Sequence, residues 1–326
     1  MAMDMPLIRA AFITIGRNLM LVAITSCVAI LLISVSPINP VNEFLGGNLL
    51  SVSAEQKALI AQHLGISQTP IEQWMQITQQ FFKGNLGQSN YYQQPVIDVI
   101  KERAGDSAKL LLSSWLLTLL IGYSLGLLAG VKQNTLWDKS LQNLAWLLSC
   151  LPGFWLGILL MALFSLQLRW LPISGATSLH ETSFTWYSSI SHLVLPVTTL
   201  VLSGIGPLIL HTREKVIELM SSEHVLYARI HQLPLSTLVR KYIVVGTVMP
   251  AVMIHFAAIA EIMSCSALVE TVFNYPGLGN ALVNSARHQD GALLICLTIF
   301  SALSIAIANM LANSIQRFTQ PSTFQS

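Results

Sequence analysis

The stretch EHVLYARIHQLPLSTLVRKYIVVGTVMP, residues 223–250, decides how this chain is organised. It is the longest charge-bearing connection between apolar segments in the C-terminal half. It carries Arg229, Arg240 and Lys241, with Arg213 and Lys215 just ahead of it. The pattern reads as a polar, cationic helix-turn-helix between two long apolar segments. A short turn would join two membrane spans more simply, so the stretch is expected to dock a cytoplasmic partner.

Composition supports the membrane setting. Hydrophobic residues make up 53% of the chain and charged residues only 10%, where a soluble domain has about 25% charged; the mean hydropathy is +0.62. Charge-free runs lie between Lys109 and Lys132, Lys139 and Arg169, Glu181 and Arg213, and Asp290 and Arg317. Each can hold the roughly 20 apolar residues that cross about 30 Å of hydrocarbon. The net charge of +2 gives no reason to expect nucleic acid. The cations are better explained by orientation in the bilayer.

Taken in order, the chain predicts an all-α polytopic protein with six transmembrane helices. Residues 1–36 form a cytoplasmic N-terminus and a retained first span over 19–36, in preference to a cleaved leader. Residues 37–106 form a long external loop region, with helices expected over 53–64, 71–82 and 95–103 and a turn at 83–87. Span two, 110–131, has Gly122, Gly126 and Gly130 on one stripe, which predicts a tight helix contact. Span three, 141–166, is kinked at Pro152-Gly153. Span four covers 192–210, the cytoplasmic loop 211–243, span five 243–269 and span six 292–315.

The cations fix the orientation. Arg9, Arg17, Lys132, Lys139, Arg213, Lys215, Arg229, Arg240, Lys241 and Arg317 fall on one side, against Arg169 and Arg287 on the short loops of the other. Lys57, Lys83, Lys101, Arg103 and Lys109 belong to the long first loop or its edge, where the bias is weakly enforced. Both termini are therefore expected in the cytoplasm.

Further pieces recur in a fixed order: LGISQTPIEQW (64–74), KGNLGQS (83–89), QPVIDVIKERAGDSAKLLL (94–112), LPGFWLGILL (151–160), LRWLPISG (168–175), HLVLPVTTLVL (192–202) and VETVFNYPGLGNALVNSARHQD (269–290). In this order and spacing the chain resembles the inner-membrane permeases of peptide and nickel importers of the ATP-binding-cassette class. The resemblance implies a type I importer fold, with the permease core over 107–320 and a tail at 321–326. It implies a bacterial inner-membrane location, a second homologous permease, two ATPase subunits carrying ATP and Mg, and an external solute-binding protein. This chain itself is expected to bind no cofactor or metal.

In such permeases the inner loop includes a coupling helix that sits in a cleft of the ATPase. Glu223 matches the family's leading acid, and Ala228 and Arg229 match its Ala-Arg pair. Gln232, followed by Leu233, stands where the family has the glycine at which the chain turns. Pro234 is expected to break the helix instead, because it disfavours helical geometry at Leu233. Within 269–290, Glu270, Pro276, Gly277 and Gly279 mark an external gate or structural contact. Asn313 and Gln320 stand where family members carry aspartates.

The residues offer no catalysis. There is no G-x-x-x-x-G-K-[ST] and no G-x-S-x-G, and His180-Glu181 meets Phe184 where a zinc site needs a second histidine. Cys27, Cys150, Cys265 and Cys296 are expected as buried thiols within spans. Glu261 is the one carboxylate well inside an apolar run, a position that points to an aqueous path. His255, six residues earlier, is a second candidate for the path, with a plain inter-helix hydrogen bond as the alternative. An ion-gradient-driven secondary transporter is the competing class. It usually shows inverted repeats and several intramembrane ionisable groups, and neither is evident here.

Overall fold

Apolar runs of this length satisfy their backbone groups in hydrocarbon only by closing hydrogen bonds within the segment. The computed structural model of the chain is accordingly helical nearly throughout. It describes residues 5–35, 53, 69–175 and 186–319. Most of the helix expected over 53–64, together with His180, Glu181, Gln320 and the tail 321–326, lies outside the described residues.

The helices are α1 (Met5–Val35), α2 (Pro70–Phe82), α3 (Val96–Val131), α4 (Leu136–Cys150), α5 (Gly153–Leu160), α6 (Trp186–Met220), α7 (Glu223–Ile230), α8 (Leu235–Leu238), α9 (Val244–Ala257), α10 (Ile259–Val272), α11 (Leu278–Arg287) and α12 (Gly291–Thr319). π-Helical turns extend α5 over Met161–Gln167 and join α8 to α9 over Val239–Ile243. A two-residue hairpin, β1 (Gln88–Ser89) with β2 (Gln94–Pro95), is the only sheet among the described residues.

Four of these stretches are long and apolar enough to cross a membrane: Val96–Val131, Ser189–Met220, Leu235–Ala257 and Gly291–Leu311. A fifth is the pair Leu136–Cys150 and Gly153–Gln167, bent by 103° at Leu151-Pro152. That is the kink expected in span three. Within α1, Met20–Leu32 is apolar but shorter than a span.

Two boundaries differ from the sequence reading. The fourth apolar helix does not end near 210 but continues to Met220, so the first part of the expected inner loop is helical. The expected fifth span, 243–269, is not one helix. The helical run starts earlier, at Leu235, and stops at Ala258, whose φ of −80° and ψ of 1° leave the helical basin before α10 begins. Hydrophobicity is continuous across that break, which is why composition alone hid it.

The contacts divide the chain into two units: Met1–Gly105 with Gly277–Ile307, and Asp106–Pro276 with Ala308–Ser326. In the first, α2 opens with a capping box. The Thr69 N–H donates to Glu72 Oε2 at 2.9 Å, and the Glu72 N–H donates to Thr69 Oγ1. The Thr69 backbone bond holds the Glu72 carboxyl below its usual pKa. Trp74 Nε1 donates to Ser26 of α1 at 3.0 Å, and Ile30 packs with Ile295 and Ile299. Asp290, fully buried, caps α12 by accepting from Leu293 N–H. It also accepts from Ser89 Oγ at 2.6 Å and Tyr91 N–H at 3.1 Å, which fixes the hairpin to the start of α12.

In the second unit α6 is the central element. Leu195, Leu200, Val201, Ile205 and Ile209 pack with Ala145 and Leu148 of α4, Leu156 of α5, and Val269 of α10. The glycine stripe of α3 lies directly on α6. A Cβ on Gly126 would come within 2.6 Å of Thr212 Cβ and 2.8 Å of the Ile209 carbonyl oxygen; one on Gly130 would come within 2.5 Å of Val216 Cβ. The expected tight contact is therefore present. Where α4 begins, Asp138 forms a two-pronged ion pair with Arg213 of α6 (2.6 and 2.9 Å) and also accepts from Asn134 N–H and Gln142.

Candidate functional site

The helix-turn-helix of 223–250 is present, and its short first helix has two unlike faces. Ser222 precedes α7, its hydroxyl donating back to the Leu219 carbonyl at 2.7 Å. Glu223 follows in the first turn, where the helix dipole favours a carboxylate. One face, Val225 and Ala228, is buried in a cluster with Val216, Leu238 and Ile243, flanked by Leu127 and Val131 of α3 and Leu219 and Met220 of α6. The opposite face is open: Tyr227 is 66% and Ile230 77% exposed, with Leu226, Leu233 and Leu235 beside them.

Ala228 therefore faces its own chain. At 3% exposure it seats α7 on α3, α6 and α8. Arg229 is exposed and reaches back so that Nη2 lies 3.7 Å from Met220 Sδ.

Gln232 settles how the chain turns. It adopts φ +59°, the left-handed conformation that glycine takes at a helix C-terminus. Its N–H donates to the Arg229 carbonyl at 2.9 Å, and the next N–H, from Leu233, donates to the Ala228 carbonyl at 3.3 Å. This is a Schellman closure with glutamine in the glycine position. The break occurs at Gln232 itself, before Pro234 acts. Asn274 and Gln289 end α10 and α11 in the same way, with φ of 46° and 58°.

The two candidates for a path do not converge. His255 is 2% exposed; its Nε2 lies 2.9 Å from the Trp115 carbonyl oxygen and its ring stacks on Trp115 at 4.8 Å. It joins α9 to α3. Glu261 is exposed, and the break at Ala258 puts it in the first turn of α10, where the helix dipole favours a carboxylate.

Glu270 is buried, and Ser107 Oγ donates to its Oε1 at 2.7 Å, with Ser266 Oγ at 3.4 Å. Gly277 caps α11 at its N-terminus, Gly279 lies in the first turn of that helix, and Pro276 precedes them. Among the described residues, no three His, Cys, Asp or Glu side chains are placed to hold a metal ion.

Two polar constellations escaped the sequence reading: Asp138 with Arg213, and Asp290 with Ser89 and Tyr91. Asp138 could have been noticed as the only acid between Asp106 and Glu181. Nothing in the sequence names its partner.

Residues 122–325 match the family described as binding-protein-dependent transport system inner membrane component. The chain belongs to that family. As an inner-membrane component of a binding-protein-dependent, ATP-binding-cassette transport system, it is a multi-pass permease subunit and not an enzyme. Membership of such a transport system implies a solute-binding protein and an ATPase as partners. The oligopeptide transport system permease protein AppB of Bacillus subtilis is 25% identical over 316 residues, covering 96% of this chain and 98% of AppB. OppB of Salmonella typhimurium, named likewise, is 29% identical over 228 residues, 70% of this chain and 72% of OppB. A putative peptide permease of Brucella suis is 27% identical over 295 residues, 90% of this chain and 92% of its own length.

Proposed function

We propose that this chain is one of two homologous permeases of an importer for oligopeptides, and that α7 is the element an ATPase subunit grips. The observation that carries the reading is the division of α7 into a seated face and an open apolar face. Tyr227, Ile230, Leu226, Leu233 and Leu235 leave apolar surface uncovered at the end of an otherwise packed cluster. Such a patch, rimmed by Glu223 and Arg229, suits a protein partner. The peptide substrate is taken from the names of AppB, OppB and the Brucella permease, and is preferred to nickel for that reason.

In this reading six spans cross the bilayer: α1, α3, the bent pair α4–α5, α6, the run from α8 through α9, and α12. Both termini and α7 lie in the cytoplasm, and two ATPase subunits carry ATP and Mg. Glu261, exposed at the start of α10, lines the path between the two permeases. His255 stays out of it as an inter-helix contact. Glu270 holds the outer end of α10 through Ser107, and Pro276, Gly277 and Gly279 shape the start of α11.

The test is Ile230→Asp, read by peptide uptake and by co-purification of the ATPase. The substitution places a charge where a partner must exclude water, yet it leaves the seat untouched. Normal membrane abundance with lost ATPase association is expected. Normal association and uptake would refute the docking role. For the path, Glu261→Cys in the assembled transporter should react with a hydrophilic thiol reagent; protection under all conditions would place position 261 elsewhere.

A further inference from the structure

The turn between α3 and α4 carries chemistry that coupling and transport do not use. Val131 ends an apolar span, so Lys132 stands where hydrocarbon gives way to headgroups, whichever side of the membrane it faces. The Lys132 ammonium lies over the Trp137 ring, 5.6 Å from its centroid. Leu136 is 82% and Trp137 61% exposed, and Lys139, three residues on from Leu136 along the helix, is exposed as well.

The one acid of this turn does not neutralise the lysines. Asp138 is 1% exposed and turned inward, with both carboxylate oxygens engaged by Arg213. What remains outward is the Lys132 ammonium over the indole, with the Leu136 side chain and the Lys139 ammonium exposed on the same first turn of α4. A cationic edge joined to an apolar, aromatic one fits a ligand whose negative and apolar parts are adjacent, at the depth where lipid headgroups sit.

We propose that Lys132, Leu136, Trp137 and Lys139 form a binding site for an anionic phospholipid. The lysines hold the phosphate, Trp137 lies against the glycerol and upper acyl region, and Leu136 enters the acyl layer. The Asp138–Arg213 pair makes the site cationic by withdrawing the competing carboxylate.

The experiment uses the assembled transporter in phosphatidylcholine bilayers containing brominated phosphatidylglycerol or brominated phosphatidylcholine. Quenching of Trp137 is isolated as the difference between wild type and Trp137→Phe. Each lysine near an anionic headgroup is worth about five-fold, so the pair predicts a preference for phosphatidylglycerol of roughly thirty-fold. Lys132→Gln with Lys139→Gln should bring the two lipids close to parity, with quenching by phosphatidylcholine unchanged as the sign of an intact fold. Equal quenching by both lipids in wild type would overturn the proposal, as would a preference that survives the double substitution. Absence of quenching by either lipid would show Trp137 covered by another subunit, and would overturn it too.

Discussion

Gln232→Gly should tighten the turn that ends α7. In the structure Gln232 has φ +59°, a conformation that costs a non-glycine residue about 1–2 kcal/mol. Glycine removes that strain but adds freedom to the open chain, worth roughly 0.5–1 kcal/mol in the other direction. The expected net gain is about 0.5–1 kcal/mol in the free energy of opening the turn. The Gln232 and Leu233 amides, which donate to Arg229 and Ala228 at 2.9 and 3.3 Å, report that opening directly. Hydrogen exchange of the assembled transporter, resolved to a peptide covering 226–236, should slow by about two- to five-fold at these amides. Gln232→Ala is the control, since it keeps Cβ and hence the strain. Unchanged or faster exchange in the glycine variant, or equal slowing in the alanine variant, would refute the reasoning.

Gly126→Ala should lower the thermal midpoint of the purified protein, because the new methyl meets a backbone carbonyl at 2.8 Å that cannot swing away; overpacking of this kind costs about 1–3 kcal/mol. Asp138→Ala should destabilise by about 3 kcal/mol by leaving the Arg213 guanidinium short of its partner, while Asp138→Leu combined with Arg213→Met should cost less than the single change; a thermal cycle in detergent checks the order. Asp290→Ala should free the hairpin, since Ser89 Oγ and the Tyr91 N–H lose a buried acceptor at a cost of about 1–3 kcal/mol each; faster proteolysis within 88–95 is the readout. In a background without the natural cysteines, an impermeant thiol reagent applied to intact cells should modify Gln79→Cys and spare Ser221→Cys; labelling of the latter from outside would invert the topology.

The architecture was legible where periodicity and punctuation agree. Pro152 marked the bend of span three, and Gly122, Gly126 and Gly130 marked the contact of α3 with α6. The turn in 223–250 was legible too, though the residue that makes it was not. Gln232 takes the left-handed conformation because the Schellman bonds from Gln232 and Leu233 fix it, and no propensity would choose glutamine there. Glu261 looked like a carboxylate deep in a continuous span, since nothing in IHFAAIAEIMS marks the break at Ala258. For Ala228, the spacing to Val225 placed both on one face. Whether that face looks to the chain or away from it depends on Val216, Leu238 and Ile243, residues brought together only by folding. The Asp138–Arg213 pair, separated by 75 residues, is a product of tertiary structure in the same sense.

The seat of α7 has a mechanical consequence. Val225 and Ala228 bear at once on the ends of α3 and α6 and on the run from α8 into α9. The link to α6 is only Ser221 and Ser222, both hydrogen-bonded to the last turn of that helix. An eight-residue helix fixed this way behaves as a lug set into three beams, with little slack to absorb a push at a hinge. Any force applied to its open face is shared among several long helices from the first fraction of an ångström. Its compliance is then that of packed side chains, which yield very little.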